Sequence, residues 1–241
     1  MDIQGEVILK SPWSGSGRGL ARVSPSTWSK PIEGWISRII RTQGAVMAEP
    51  FYSKVTDFAM EFHVSQEGKV CFAGYSLFET DTFGNYKANL LLPNEEIERR
   101  ISLYVPVIFL NEVREKLIKK LSALLKDCYV GYLGVDMMIC VQDGNYKLHP
   151  CVEINLRMNM GVVARLIFDR YVVHNSQGRY ITEHYRADGE ALNFHRTMCE
   201  QAPAHIVGNQ LLSGYLSLTP VRTDTRFQAY ILIEEGRKAH L

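Results

Sequence analysis

Four residues carry the chemistry that this sequence advertises most plainly: Asp136, Glu153, Asn155 and Arg157. Asp136 lies in GYLGVDMMICV, where Val135, Met137 and Ile139 alternate with Asp136, Met138 and Cys140, the period-two pattern of a strand. Asp143-Gly144 follows, a pair that tolerates the positive φ of a type I′ hairpin turn. The chain then returns through Tyr146, Leu148, Cys151, Val152 and Ile154. On that return Glu153 and Asn155 are two residues apart and share a face. With Asp136 on the same face of its own strand, two carboxylates and an amide converge. Such hard oxygen donors suit Mg²⁺ (or Mn²⁺), which usually shares them with substrate phosphates. Arg157 adds a cation on the same side. A pair of solvated strand ends is the competing account. Against it, Asp136 and Glu153 interrupt strongly apolar runs, where an ionised carboxylate needs a cation or hydrogen-bond donors to offset its desolvation.

The elements that must position this hairpin are readable in part. Glu6 to Lys10 reads as a short buried strand, followed by SPWSGSGRGL, in which Ser14, Gly15, Ser16, Gly17 and Gly19 make a loop. Its amides can approach an anion closely because little side-chain bulk intervenes. The loop is neither a P-loop nor a dinucleotide fingerprint, since G-x-x-x-x-G-K-[ST] is absent and the glycines run G-x-G-x-G. Ser29 to Arg41 carries a helical stripe (Ile32, Trp35, Ile36, Ile39, Ile40), with Pro31 in the first turn and Gly44 placed to stop it. Ala45 to Glu49 is a strand ending at Pro50-Phe51-Tyr52. Thr56 to Val64 alternates and turns at Gln66-Glu67-Gly68 into Lys69 to Phe72, an antiparallel hairpin. Glu79 to Asn89 is polar, contains a glycine, and reads as a mobile loop whose one cation is Lys87. Val113, Leu117, Leu121 and Leu124 mark a long amphipathic helix, and Val162 to Val172 a second one. In the tail, Leu211-Leu212, Tyr215-Leu216 and Phe227 to Ile233 are apolar segments. His184, His195 and His205 lie there without metal-ligand spacing.

With 241 residues and 46% apolar content, the chain holds one large domain or two small ones. A net charge of +1 supplies no basic field for nucleic acid. No run of 18 apolar residues offers a membrane span. The opening MDIQGEVILK lacks the features of a secretory leader, which gives a cytoplasmic expectation. Five cysteines without CxxC spacing read as buried thiols of a reducing compartment.

Taken in order, Lys10 plus SGSGRG, MAEPFY, GVDMM and EINLR resemble the ATP-grasp superfamily, in particular its biotin-carboxylase-type ligases, over about residues 5–165. The resemblance implies an α+β chain with the ATP-grasp fold, two α+β subdomains with mainly antiparallel sheets gripping ATP between them. Residues 1–48 and the hinge 49–53 would form the small subdomain, 54–170 the large subdomain with the metal site, and 171–241 an extension completing or capping it. Lys10 would contact the phosphates and Ser14, Gly15, Ser16 and Gly17 would form a flap over them. Glu49 and the backbone of Phe51 and Tyr52 would read the adenine, and Asp57 the ribose or phosphates. Asp136, Glu153 and Asn155 would hold Mg²⁺, with Arg157 and Lys87 steadying the reacting group. The implied activity is ligation of a small carboxylate to an amine or thiol through an acylphosphate. Two other readings stay open: a degenerate domain that binds nucleotide or a partner protein without catalysis, and an unrelated α+β structural domain. Members of the superfamily carry an upstream preATP-grasp domain and a further lysine, whereas Lys10 lies nine residues from the start. The expectation is a C-terminal piece or a reduced variant, partnered by such a domain or by a second copy. Pro50 also stands where a lysine is common.

Overall fold

The computed structural model describes residues 5–15, 19–80 and 86–236. A small antiparallel sheet comes first, from β1 (Val7–Lys10), β2 (Leu20–Val23) and β3 (Met47–Pro50), in the order β2-β1-β3. Helix α1 (Lys30–Gln43) connects β2 to β3. Pro31 occupies its first turn, and Gly44, at φ +84°, donates its N–H to Ile40 O and stops it, the left-handed cap that glycine accepts without strain.

The rest of the chain forms a second sheet of nine strands. Its elements in sequence are β4 (Ser53–Val64), β5 (Val70–Thr80), β6 (Tyr86–Leu91), α2 (Asn94–Ser102), α3 (Val107–Leu125), β7 (Gly131–Gln142), β8 (Asn145–Asn155), α4 (Met160–Tyr171), β9 (Gln177–His184), α5 (Glu190–Gln201), β10 (His205–Val207), β11 (Gln210–Ser217) and β12 (Phe227–Glu234). The strand order is β10-β11-β12-β9-β6-β5-β4-β7-β8, antiparallel throughout. The β7–β8 hairpin turns at Asp143 (φ 52°) and Gly144 (φ 72°), the two positive angles that Asp-Gly supplies.

Alternation along the central strands sends side chains to two different environments. Phe58, Met60, Phe62 and Val64 of β4 and Leu133, Val135, Met137 and Ile139 of β7 are buried with Ile97 and Ile101 of α2 and Leu110, Leu121 and Leu125 of α3. The opposite face meets α4, whose Ala164 and Phe168 pack with Leu91, Tyr180, Leu211, Ile231 and Ile233. Arg165 pins α4 in place, donating to Leu92 O at 2.8 Å and to Asp169.

The architecture is α+β with antiparallel sheets, as the sequence suggests, and residues 177–234 contribute strands to the same sheet as residues 53–155. Three expectations change. Lys87 stands in strand β6 rather than in a loop, because Ala88 to Leu91 pair with β9 and Ala88 and Asn89 with β5. Leu124 is 67% exposed, and Leu110, Leu121 and Leu125 form the buried stripe of α3 in its place. Among the cysteines Cys140 is buried, whereas Cys71, Cys128, Cys151 and Cys199 are exposed free thiols. No helix among the described residues is long and apolar enough to cross a membrane.

Candidate active site

Register brings the acidic residues together. Asp136 on β7 faces Glu153 on β8, Gly134 faces Asn155, and Ala59 of β4 lies opposite Asp136 on the other side. Directly paired residues of an antiparallel ladder project to one face, so Asp136, Glu153 and Asn155 share the face that α4 partly covers. Asn155 Nδ2 donates to Asp136 Oδ2 at 3.0 Å, and Arg157 Nη2 donates to Asn155 Oδ1 at 3.0 Å. The chain turns tightly here, with Arg157 N–H donating to Asn155 O at 2.8 Å, which holds the arginine beside the strand it has just left. Asn155 is buried, while Glu153 and Arg157 are open to solvent.

The electrostatics of this face are unfavourable without a counter-ion. Burial pushes the Asp136 carboxyl up to about 7, and the charge of Glu153 pushes the same way. The Asn155 hydrogen bond opposes them, Asp57 adds a smaller repulsion, and Arg157 a smaller attraction. A divalent cation between the two carboxylates would reverse that balance. The donor set fits Mg²⁺: two carboxylates and one amide oxygen, all hard ligands, with Glu153 accessible from outside. Asn155 Oδ1 accepts from Arg157, so ligation would require it to share or release that contact. No cluster of three His, Cys, Asp or Glu side chains suited to a metal exists among the described residues, which leaves the amide as the third donor.

Around the small sheet, Lys10 Nζ and Glu49 Oε2 lie 2.6 Å apart, because Ile8 pairs with Glu49 and thus puts Lys10 and Glu49 on one side. Ser14 Oγ donates to Ser11 O at 2.9 Å, and Gly15 is exposed. Ser16 and Gly17 lie outside the described residues. Phe51 N–H donates to Glu6 O at 2.9 Å, so base recognition at Phe51 would fall to its carbonyl oxygen. The Phe51 ring is covered by the Arg22 guanidinium at 3.8 Å, and Tyr52 stacks edge-on against His149 of β8 at 5.3 Å between centroids. Asp57 accepts from Lys54 Nζ and, at 3.3 Å, from Thr80 Oγ1. Lys87 is exposed on β6, with β5 and β4 between it and β7. Three strand spacings amount to roughly 14 Å. The structure does not bring Lys87 to the acidic pair.

Residues that the sequence reading passed over complete the face. Lys54 supplies a cation to Asp57 and also donates to Thr80 Oγ1 at 3.1 Å. Glu61, 1% exposed, accepts from Ser76 Oγ at 2.7 Å and from Asn159 Nδ2 at 3.1 Å. Burial pushes its carboxyl up to about 7, against the lowering effect of those two donors and with a smaller push from Asp136. Asn159 is the N-cap of α4, its Oδ1 accepting from Val162 N–H at 2.8 Å. An asparagine directly before an apolar helical run is a recognisable cap signal, so Asn159 was available to sequence reasoning.

No protein-family model and no curated protein matches this sequence. Solved structures do match the fold. N5-carboxyaminoimidazole synthetase of Staphylococcus aureus, complexed with ADP, aligns with TM-score 0.52 at 12% identity over 95% of this chain and 57% of that one. The biotin carboxylase domain dimer of the Hydrogenobacter thermophilus 2-oxoglutarate carboxylase, in complex with MgADP, ADP and bicarbonate, aligns with TM-score 0.55 at 14% identity over 96% of this chain and 53% of that one. Carboxyaminoimidazole ribonucleotide synthase of Aspergillus clavatus, complexed with ATP, aligns with TM-score 0.52 at 15% identity over 95% and 58%. The chain therefore has the ATP-grasp fold of biotin-carboxylase-like proteins, and it spans little more than half the length of these structures.

Proposed function

We propose that this chain is an ATP- and Mg²⁺-dependent carboxylate ligase of the ATP-grasp kind, or the nucleotide-binding portion of one. One observation carries the reading: the β7–β8 register turns Asp136, Glu153 and Asn155 to one face with Arg157 tied to Asn155. This arrangement occurs on a fold whose solved examples include ADP and ATP complexes.

In this reading Asp136, Glu153 and Asn155 hold Mg²⁺, which when bound neutralises phosphate charge. Lys10, released from Glu49, reaches the phosphates. Ser14, Gly15, Ser16 and Gly17 cover them with backbone amides and exclude water from the acylphosphate. Glu49 and the backbone of Phe51 and Tyr52 contact the base, and Asp57 with Lys54 the ribose side. A substrate carboxylate oxygen bonds to the γ-phosphorus as the bond from phosphorus to the β,γ-bridging oxygen breaks and ADP departs. An amine or thiol then takes the acyl group and phosphate leaves. The protein's work is alignment and charge neutralisation, since phosphoryl transfer asks little covalent chemistry of it. Arg157 supplies fixed positive charge beside the acyl group.

The test is calorimetric titration of ATP into the native chain and Glu153→Ala, each with and without Mg²⁺. The expected result is a Mg²⁺-dependent affinity that the variant loses by ten-fold or more; equal affinities in Mg²⁺ would sink the reading. A second reading, nucleotide binding without turnover, is favoured by the Lys10–Glu49 ion pair and the Arg157–Asn155 contact, which engage both cations that turnover would use. Trapping with hydroxylamine separates the two, since only an acylphosphate yields a hydroxamate.

A further inference from the structure

Among the described residues Glu61 is the one buried carboxyl group, and the mechanism above gives it no task. Glu61 comes from the middle of β4, on the side of the strand that carries Asp57 and Ala59 and faces α4 rather than the apolar core. Its two oxygens have separate partners, Ser76 Oγ on β5 and Asn159 Nδ2 at the start of α4. The surroundings are shaped to this contact. A β-carbon at Gly161 would collide with Glu61 Oε1 and Ser76 Oγ, and one at Gly134 with Asn159 Nδ2 and Glu61 Oε2. Two glycines on two elements thus leave room for one carboxylate and the amide it grips.

Asn159 ends a five-residue segment that begins at Asn155. Between them Leu156, Arg157 and Met158 are all exposed, and Leu156 and Met158 make no part of the core. The segment is held at its ends: Asn155 to Asp136 on one side, Asn159 to Glu61 on the other. Arg157 stands midway. An exposed connector of three residues has few contacts of its own to resist local opening, so the anchors at its ends decide where the guanidinium sits.

We propose that Glu61 is a positioning residue: through Asn159 it fixes the connector that presents Arg157 to the reacting group, while the helix cap at Asn159 stays intact. The part concerning Arg157 in turnover rests on the ligase reading; the anchoring itself does not. An isosteric glutamine can still accept from Asn159 and exchange a hydrogen bond with Ser76, since its amide offers both a donor and an acceptor. Alanine can do neither.

Hydrogen exchange and kinetics on the full chain test this with Glu61→Ala, Glu61→Gln, Asn159→Asp, Arg157→Ala and the Glu61→Ala/Arg157→Ala double variant. Asn159→Asp keeps the acceptor for Val162 N–H but sets an oxygen against Glu61 in place of the donor, so it strikes this contact alone should Glu61→Ala fail to fold. Glu61→Ala and Asn159→Asp are expected to speed exchange of the amides of residues 156–162 by ten-fold or more and to leave those of β7 within two-fold, with Glu61→Gln close to native. Unchanged exchange at 156–162 in both variants would overturn the anchor, whether or not the chain turns over ATP. With MgATP as the probe, hydrolysis by Glu61→Ala should show kcat lowered ten-fold or more with KM for ATP within three-fold. The double variant should be no slower than Arg157→Ala. A full additional ten-fold loss on the Arg157→Ala background would show that Glu61 does not act through Arg157. Absence of ATP binding by the native chain would defeat the ligase reading instead, leaving the exchange result to decide the anchor.

Discussion

The two ends of the nine-stranded sheet solve the same problem in opposite ways. Toward β8 the face that α4 partly covers carries Glu61 and Asp136, both raised to about 7 chiefly by burial, with neighbouring carboxylates adding a smaller push. Toward β10 the polar atoms beneath α5 are matched instead. Tyr185 Oη donates to Gln228 Oε1 at 3.0 Å, Gln228 Nε2 donates to Tyr215 Oη at 2.5 Å and Ser217 Oγ at 2.9 Å, and His195 Nδ1 pairs with Tyr215 Oη at 2.9 Å. Phe194 and Tyr230 pack around them. One end holds unfavourable charge in place; the other satisfies every partner in the chain of contacts. Buried carboxylates with raised pKa values survive where surrounding packing is strong enough to impose them, and they concentrate at functional sites.

The sharpest way to break this contrast is to crowd the acidic end. Gly161→Ala drives a methyl group into Glu61 and Ser76, and neither oxygen can retreat without losing its partner. Destabilisation of about 3 kcal/mol is expected, measured as the shift in urea midpoint at unchanged slope. Gly144→Ala serves as the control, since nothing lies within 4 Å of its added carbon and only its φ of +72° resists, at a cost of about 1 kcal/mol.

The next effect has the opposite sign. Asp136→Asn removes one of two facing charges and keeps an acceptor for Asn155, so the ion-free protein should gain on the order of 2 kcal/mol at pH 8. The pH dependence follows from the same shift. The folded protein holds the Asp136 proton up to about 7 against an ordinary 3.8, and Glu61 up to about 7 against 4.5. The folded state therefore binds more protons across the interval between those values, and stability rises as pH falls from 8 toward 5. Thermal melts in chelator at several pH values should show that rise in the native chain and a smaller one in Asp136→Asn. A native melting temperature that falls steadily over this range would refute the electrostatic picture. If the ligase reading holds, the stabilised variant also loses Mg²⁺-dependent ATP affinity.

What could be seen from the amino acids alone followed the same divide. The β7–β8 hairpin is legible because Val135, Met137 and Ile139 alternate with Asp136, Met138 and Cys140, and Asp143-Gly144 supplies the turn. Both signals are local. Glu61 was not, because position 61 falls on the outward side of a half-buried pattern, and only the landing of α4 on that side makes it interior. Lys87 reads as a loop cation because Glu79 to Asn89 is polar and contains a glycine; its strand character comes from pairing with β9, which lies some 90 residues later. The exposure of Cys71, Cys128, Cys151 and Cys199 was hidden similarly, since sequence says which side of a strand or helix a residue takes but not whether anything packs there. Within the tail, Phe227 to Ile233 showed its strand character, whereas β9 and β10 have too little apolar alternation to declare themselves.

The smallest expected effect sharpens the contrast from the matched end. Tyr215→Phe removes one hydroxyl that links Gln228 to His195 and leaves the ring packing against Phe194 and Tyr230 unchanged. Gln228 Nε2 retains Ser217 Oγ, so no buried donor is wholly orphaned. The loss should be about 1 kcal/mol, the net worth of one hydrogen bond. Differential scanning calorimetry resolves that amount, and ATP titration of the same variant should match the native chain. Tyr215 belongs to β11, four strands from β5, and no contact of the acidic face runs through it. If Tyr215→Phe altered nucleotide affinity several-fold, the two ends could not be energetically separate. The division between the proposed binding end and the matched end would then have to be given up.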